Sequence, residues 1–312
     1  MLLRIANLKN IKNNKNYLAF VDFDNNYYLI EKIAKKLEID LEPDFLDAKK
    51  LKWLEPNCLE TFQKIFNQTK KLKIPHEDDS KWRLCAPIEF PKKIIAVGRN
   101  YMDHVDEGKK IWRKRGVEIK LPKFPSAFAK FSSSITGPND NINLPRGVKT
   151  LDYEIELAIV IGSDAHNVAE KEALNFVAGY MICNDLSIRK IQIEEMQTQI
   201  GISLAKNFPT FAPMGPWLTT KSLVENPQNL SLKLTVDGEI RQKANTQDMI
   251  FSISKLISYW SQTGLETGDI IITGTPSGVA IAREKPENYY LKSNQTIICE
   301  IEGLGSIINK VN

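Results

Sequence analysis

Glu154 and Glu156 stand two residues apart in Leu151-Asp152-Tyr153-Glu154-Ile155-Glu156-Leu157-Ala158-Ile159-Val160-Ile161-Gly162. On a strand that spacing puts both side chains on one face. Asp152 has the same parity at the strand's entrance. Apolar sequence then continues to Ile161, which implies burial on both faces. Two carboxylates at the mouth of a buried strand repel each other unless a cation neutralises them. A second apolar stretch, Met181-Ile182-Cys183-Asn184-Asp185-Leu186-Ser187, also ends on an acid. Three carboxylates meeting at strand ends would form a hard-oxygen site of formal charge −3. Such a site suits Mg²⁺, Mn²⁺ or Ca²⁺ and not a thiophilic metal. The plainer readings are an exposed acidic edge for Glu154 and Glu156, and a turn or helix-cap aspartate for Asp185.

A second constellation lies in Val97-Gly98-Arg99-Asn100-Tyr101-Met102-Asp103-His104-Val105-Asp106-Glu107-Gly108. A strand end and a glycine lead into a short helical turn, which Gly108 is expected to close. His104 and Glu107 are three apart, so on a helix they share a face. A carboxylate beside an imidazole fixes its tautomer and raises its basicity, as a general base requires. The alternative is an incidental pair on a solvated helix.

The elements that must hold these residues follow from the hydrophobic pattern. Short apolar runs alternate with Gly/Pro punctuation at 94–98 (IIAVG), 157–162 (LAIVIG), 232–238 (LKLTVDG), 270–276 (IIITGTP) and 297–305 (IICEIEGLG), and read as strands. Helices are expected at Ala169–Ala178 and at Ser252–Ser261, where Ile253, Leu256, Ile257 and Trp260 form one stripe. Strands outnumber helices without regular βαβ alternation, which predicts a largely antiparallel or mixed β core with peripheral helices. Residues 1–75 read as a small appended unit. It holds a hairpin around Asp22–Asn26 and helical spacing near Ile30–Leu37 and Leu59–Phe66. Residues 76–91, with Pro87 and Pro91, read as a linker.

The 312 residues carry a net charge of +4 with the basic residues scattered, which does not favour nucleic acid and suits a small anionic ligand. No apolar run is long enough to span a bilayer, and no signal-peptide core is visible at the start. Cys58, Cys85, Cys183 and Cys299 are far apart, as are His76, His104 and His166. These spacings argue against disulfides and zinc and point to a reducing cytoplasm.

The motifs VGRNYMDHVDE, FAKFSSSITGP, LDYEIELAIVIG, NDLSIRKIQ, LAKNFPTFAPMGPWL, VDGEIRQKANTQDMIFSISKLISYWSQ, GDIIITGTPSGVA and CEIEGLGSIINKV occur in this order. Over residues 92–312 they resemble the fumarylacetoacetate hydrolase family, in its fumarylacetoacetate hydrolase domain-containing form. The resemblance implies an α+β, strand-rich fold, a mixed β-sheet roll with peripheral helices, dimerised through residues 92–312 and preceded by a small variable N-terminal domain. It places metal ligands on Glu154, Glu156 and Asp185, with Mg²⁺ as the usual ion and Mn²⁺ or Ca²⁺ as substitutes. It places His104 and Glu107 in a mobile lid that activates water, continued by the basic stretch Lys109–Lys123. Lys130 and Gln192 are implied beside the substrate and Lys206 near the metal. Arg99 and Tyr101 are expected to touch substrate, and Thr275 to hold its carboxylate. Arg189 is expected to support the site through an ion pair. Ile188, Lys190, Pro209 and Ala280 depart from the family pattern and bear on specificity.

The activity implied is Mg²⁺-dependent hydrolysis of a C–C bond in an acylpyruvate or other 2,4-dioxo acid. In that scheme Lys206 and the metal stabilise a pyruvate enolate. The same enolate chemistry serves keto–enol isomerisation, decarboxylation or hydration of 2-oxo diacids, and hydrolysis of 2,4-dioxo-3-deoxy sugar acids. A scaffold without catalysis is the reading from another class, and the presence of the acids and the His104–Glu107 pair speaks against it. No nucleic-acid or membrane partner is expected, and a homodimer is.

Overall fold

The computed structural model describes residues 3–71, 74–113, 121 and 123–312. The apolar runs become strands because β-branched residues dominate them and turn residues bound them. Ile94–Val97, Ile155–Ile161, Ser231–Val236, Ile270–Ile272 and Thr296–Ile301 are all extended. An eleven-stranded sheet forms the frame. Its order runs Tyr27–Leu29, Asn16–Val21, Arg4–Asn10, Ala212–Thr220, Val177–Asn184, Ile155–Ile161, Ile270–Ile272, Ile94–Val97, Ala127–Lys130. Trp82–Cys85 and Ile135–Thr136 join off this path. Most pairings are antiparallel, and Ile270–Ile272 runs parallel to Ile94–Val97. A separate four-stranded sheet orders Glu239–Asn245, Ser231–Val236, Thr296–Ile301 and Gly305–Lys310. The protein is thus a strand-rich α+β fold with a mixed sheet.

Strand periodicity divides two cores. Leu157, Ile159 and Ile161 pack with Tyr180, Ile182 and Ile271, with Leu234 and Ile297 of the smaller sheet, and with Leu256 and Ile257 of the helix Ile253–Trp260. Ala158 and Val160, pointing the other way, pack with Met181, Cys183, Met214 and Ile272. That second core also contains Ile5, Phe20, Ile30, Phe62 and Ile65. The first 75 residues therefore share a sheet and a core with the rest, through the register Arg4↔Thr219 and Ile5↔Leu218. Glu154 and Glu156 have the parity of Ala158 and Val160, and Asp185 that of Met181 and Cys183. The acids thus lie at one end of the sheet face that the N-terminal segment covers farther along.

Three expectations change. Residues 76–91 are not a bare linker: they carry the strand Trp82–Cys85, which pairs with Arg4–Asn10. Ala169–Ala178 is no α-helix. Glu170–Phe176 is a 3₁₀ segment, and Val177 already begins the next strand, whose pairing with Ile161 takes the backbone out of the helix. Gly108 does not close its helix, which runs from Met102 to Arg113. Of the basic stretch after it, residues 114–120 and 122 lie outside the described residues. No helix among the described residues is long and apolar enough to cross a membrane.

A shared core predicts shared unfolding. Phe20→Ala is expected to lower stability by about 3–5 kcal/mol and to move one cooperative transition for the whole chain, followed by chemical denaturation with far-UV and near-UV circular dichroism. An early transition that leaves the residue 92–312 signal in place would show that the N-terminal segment folds separately.

Candidate metal centre and active site

The three acids meet. Glu154, Glu156 and Asp185 are buried, and one carboxylate oxygen from each lies within 4.8 Å of the others. Pairing brings them together: Glu156 sits opposite Cys183 and Ile155 opposite Asn184. The Glu154 N–H then donates to Asn184 Oδ1 at 2.9 Å, and the Asp185 N–H donates to the Glu154 carbonyl at 2.8 Å. Leu151–Asp152 pairs with Ser187–Ile188, which draws Asp152 to the same end.

Three buried cations surround these acids. Lys206 Nζ lies 2.8 Å from Glu154 Oε2 and 2.6 Å from Asp185 Oδ2. Lys130 Nζ lies 2.8 Å from Asp185 Oδ1 and also donates to the Lys206 carbonyl. Arg189 bridges Glu154 Oε1 and Asp152 Oδ2, each at 2.7 Å, so it braces the site through ion pairs. Burial by itself would raise the Glu154 pKa, but Lys206 and Arg189 outweigh it and hold this group well below the usual carboxylate range. Burial would lower Lys206, and Asp185 and Glu154 reverse the sign. Glu156 is the exception. It accepts from the Gly274 N–H at 2.7 Å, and burial together with Asp185 and Glu154 pushes its pKa well up.

That imbalance tests whether a metal suits the site. Counting Asp152, four acids face three cations among the described residues, and the acid that none of these cations touches is part of the three-carboxylate cluster. A hard divalent cation matches the oxygen donors and relieves the repulsion on Glu156. With it the cluster carries a net positive charge, which favours an anionic ligand.

A cavity of about 550 Å³ opens over the acids, lined among others by Arg99, His104, Gln192, Lys206 and Thr275. His104 is half-buried, and its Nδ1 has no hydrogen-bond partner among the described residues. Burial lowers its pKa, with Glu154 and Asp103 opposing and Arg189 and Lys206 adding to the effect. The expected His104–Glu107 contact is not formed. Glu107 instead accepts from the Gly278 N–H at 3.0 and 3.2 Å.

Other expected contacts also differ. Tyr101 does not line the cavity; it is fully buried in the core with Leu256 and Met249. Lys130 stands behind Asp185 and lines a separate cavity on the other side of the strand Ala127–Lys130. The Thr275 hydroxyl lines the site but already donates to the Ile155 carbonyl at 3.0 Å and accepts from Gln242 Nε2 at 2.8 Å. Gln192 Oε1 accepts from Arg189 at 2.8 Å, which leaves its NH₂ toward the cavity wall. Of the departing residues, Lys190 is exposed and its backbone N–H donates to Thr150 Oγ1.

Sequence reasoning singled out Thr275 and Ala280 in the loop 274–281 but missed what its backbone does. Its backbone N–H groups donate to four acids: Gly274 to Glu156, Ser277 to Asp103, Gly278 to Glu107, and Ala280 and Ile281 to Asp152. Gly278 has φ +104°, and a Cβ there would meet the Arg241 carbonyl at 2.1 Å, so only glycine fits. The glycines of Gly-Thr-Pro-Ser-Gly were the available signal. Gln242, which ties Ile155 to Thr275, had none.

The model of the fumarylacetoacetate (FAA) hydrolase C-terminal family matches residues 93–312. A mitochondrial oxaloacetate tautomerase of Rattus norvegicus is 39% identical over 253 residues, 81% of this chain and 76% of that protein. A maleylpyruvate hydrolase from Sphingobium, solved in complex with manganese(II) and pyruvate, superposes with a TM-score of 0.74 at 27% identity, covering 99% of this chain and 98% of that one. The 2-hydroxyhepta-2,4-diene-1,7-dioate isomerase from Mycobacterium marinum gives a TM-score of 0.70 at 26% identity, covering 99% and 98%.

The site predicts metal dependence at a residue whose replacement spares the ion pairs. Glu156→Gln can keep the Gly274 hydrogen bond and leaves Lys206 and Arg189 paired. It is expected to fold normally and to lose Mn²⁺ and Mg²⁺ binding by isothermal calorimetry. Wild-type affinity in this variant would remove Glu156 from the metal centre.

Proposed function

The chain belongs to the fumarylacetoacetate hydrolase C-terminal family, and we propose that within it this protein is a metal-dependent enzyme interconverting the keto and enol forms of a small 2-oxo diacid, with oxaloacetate as substrate. One observation carries the choice of reaction: His104 lines the cavity over the acid cluster with its Nδ1 unpaired among the described residues, while Glu107 is held by Gly278. Tautomerisation needs one base that removes a proton from the carbon beside the 2-oxo group and returns it to the oxygen. Hydrolysis also needs a water deprotonated in place, and a partner carboxylate would serve that step.

Glu154, Glu156 and Asp185 would hold a divalent cation, which when bound would supply Lewis acidity toward the 2-oxo group. His104, kept neutral by burial, takes the proton and gives it back. Lys206 and Arg189 keep Glu154 ionised, and their fixed charges offset negative charge developing on the substrate. Arg99 reads the second carboxylate. It lines the cavity, burial lowers its pKa without a neighbouring carboxylate to oppose it, and it sits at φ +56°. Asn100 holds that uncommon backbone through hydrogen bonds with Phe251, Thr273 and Ile250. Gln192 donates to the same ligand from its NH₂ group. The protein is expected to act as a homodimer in the cytoplasm.

The likeness to the maleylpyruvate hydrolase supports a second reading, cleavage of an acylpyruvate to a carboxylic acid and pyruvate. The two are separated by following enol-oxaloacetate absorbance with Mg²⁺ or Mn²⁺ beside pyruvate release from acylpyruvates. Accelerated tautomer exchange without pyruvate release is expected. Pyruvate release with tautomer exchange at the uncatalysed rate would replace the first reading by the second.

Two outcomes follow for His104. His104→Ala is expected to slow tautomer exchange by ~10²–10⁴-fold, the usual effect of losing a positioned base, while Mn²⁺ affinity stays unchanged in calorimetry. Because its folded pKa lies below the ordinary 6.5, the imidazole is the active base above that lowered value and is lost to protonation beneath it. The kcat/KM profile should therefore be flat from neutrality down through pH about 6.5 and fall only at lower pH. A fall that begins above the ordinary histidine value would contradict the assignment.

A further inference from the structure

The helix Met102–Arg113 carries His104, and its first two turns are fastened to the loop 274–281 at two points. Asp103 Oδ2 accepts from both the hydroxyl and the backbone N–H of Ser277, and Glu107 accepts from the Gly278 N–H. His104 lies between these acids along the helix. The loop is itself immobilised against the metal site. Gly274 donates to Glu156, Thr275 donates to the Ile155 carbonyl between Glu154 and Glu156, and Ala280 and Ile281 donate to Asp152, the partner of Arg189. One rigid loop thus touches both the acid cluster and the helix bearing the imidazole.

We propose that Asp103 and Ser277 are positioning residues that set the placement of His104 over the acid cluster, and that Glu107 acts with them as a fastener instead of as the partner of the imidazole. The inference rests on the reading of His104 as the base. Asp103 is exposed and Ser277 half-buried, so neither is needed for core packing. Asp103 Oδ1 also accepts the His104 N–H at 2.7 Å within the helix's first turn, whereas Ser277 contributes only to the link between helix and loop. A fixed geometry matters because a shift of about 1 Å in a reacting group can cost about 10²-fold in rate.

The test compares Ser277→Ala, Ser277→Thr, Asp103→Ala and Asp103→Asn, each alone and in the His104→Ala background. Oxaloacetate tautomer exchange with Mn²⁺ gives kcat and KM, and amide hydrogen exchange by mass spectrometry reports on peptides covering 102–109. Ser277→Ala and Asp103→Ala are expected to lower kcat by ~10–10²-fold, with KM and Mn²⁺ affinity within about twofold and with faster exchange confined to that helix. Ser277→Thr keeps the hydroxyl and should restore both readouts. In the His104→Ala background the same substitutions should cause no further loss of rate, because the group they place is gone. Unchanged exchange on 102–109 in both alanine variants overturns the fastening, and this readout holds whether or not the protein acts on oxaloacetate. Faster exchange with unchanged kcat, or an equal loss of kcat without His104, overturns the positioning role. A wild type that is inactive on oxaloacetate while exchange quickens as expected defeats the proposed function and leaves the fastening supported.

Discussion

Repulsion among Glu154, Glu156 and Asp185 is the constraint around which the rest of the site is arranged. Three carboxylates within 4.8 Å in a buried setting would not all stay ionised without opposing charge. The protein answers with Lys206, Lys130 and Arg189, each buried and each within 2.8 Å of an acid. These contacts satisfy Glu154 and Asp185 and leave Glu156, among the described residues, on the Gly274 backbone amide. The remaining charge is the opening for a divalent cation. Buried ion pairs of this kind add little net stability, because desolvation offsets their attraction. Their value here is placement: removing one partner would leave an isolated buried charge.

The fold meets that constraint by ending two adjacent central strands at one place. Ile155–Ile161 and Val177–Asn184 are buried along their whole lengths, and the acids gather where they end. The N-terminal segment covers the second core with Phe20, Ile30 and Phe62, and in doing so it closes the sheet face on which the acids sit. Its integration into the eleven-stranded sheet makes it part of the site's foundation.

The loop 274–281 links the acid cluster to the chemistry proposed above it. Backbone amides are well suited to this work, because their directions are set by φ and ψ and do not depend on side-chain rotamers. Donations to Glu156, Asp103, Glu107 and Asp152 from one short loop couple the acid cluster, its Arg189 brace and the His104 helix. The same loop also holds Glu107, whose carboxylate accepts from the Gly278 N–H.

By itself the sequence determined the local and periodic features. Alternation and β-branching made the strands 94–97, 155–161, 270–272 and 296–301 legible, and the stripe from Ile253 to Trp260 made the helix behind Ser252 legible. It also marked Glu154, Glu156 and Asp185, because acids at the ends of buried apolar runs need a reason to be there. Features that depend on contacts distant in the chain were decided only by the tertiary structure. Residues 1–75 read as a separate unit because a strand's pattern shows that one face is apolar and not which surface covers it; Ile5 meets Leu218 across more than two hundred residues. Ala169–Ala178 has helical spacing, yet pairing with Ile161 claims its end for the sheet. Lys130, Tyr101 and Thr275 carry the right groups for a substrate pocket, but each is already committed to Asp185, to the core or to the Ile155 carbonyl. Glu107 shares a helix face with His104 by spacing, and a helix face does not state its partner: Gly278, 171 residues away, does.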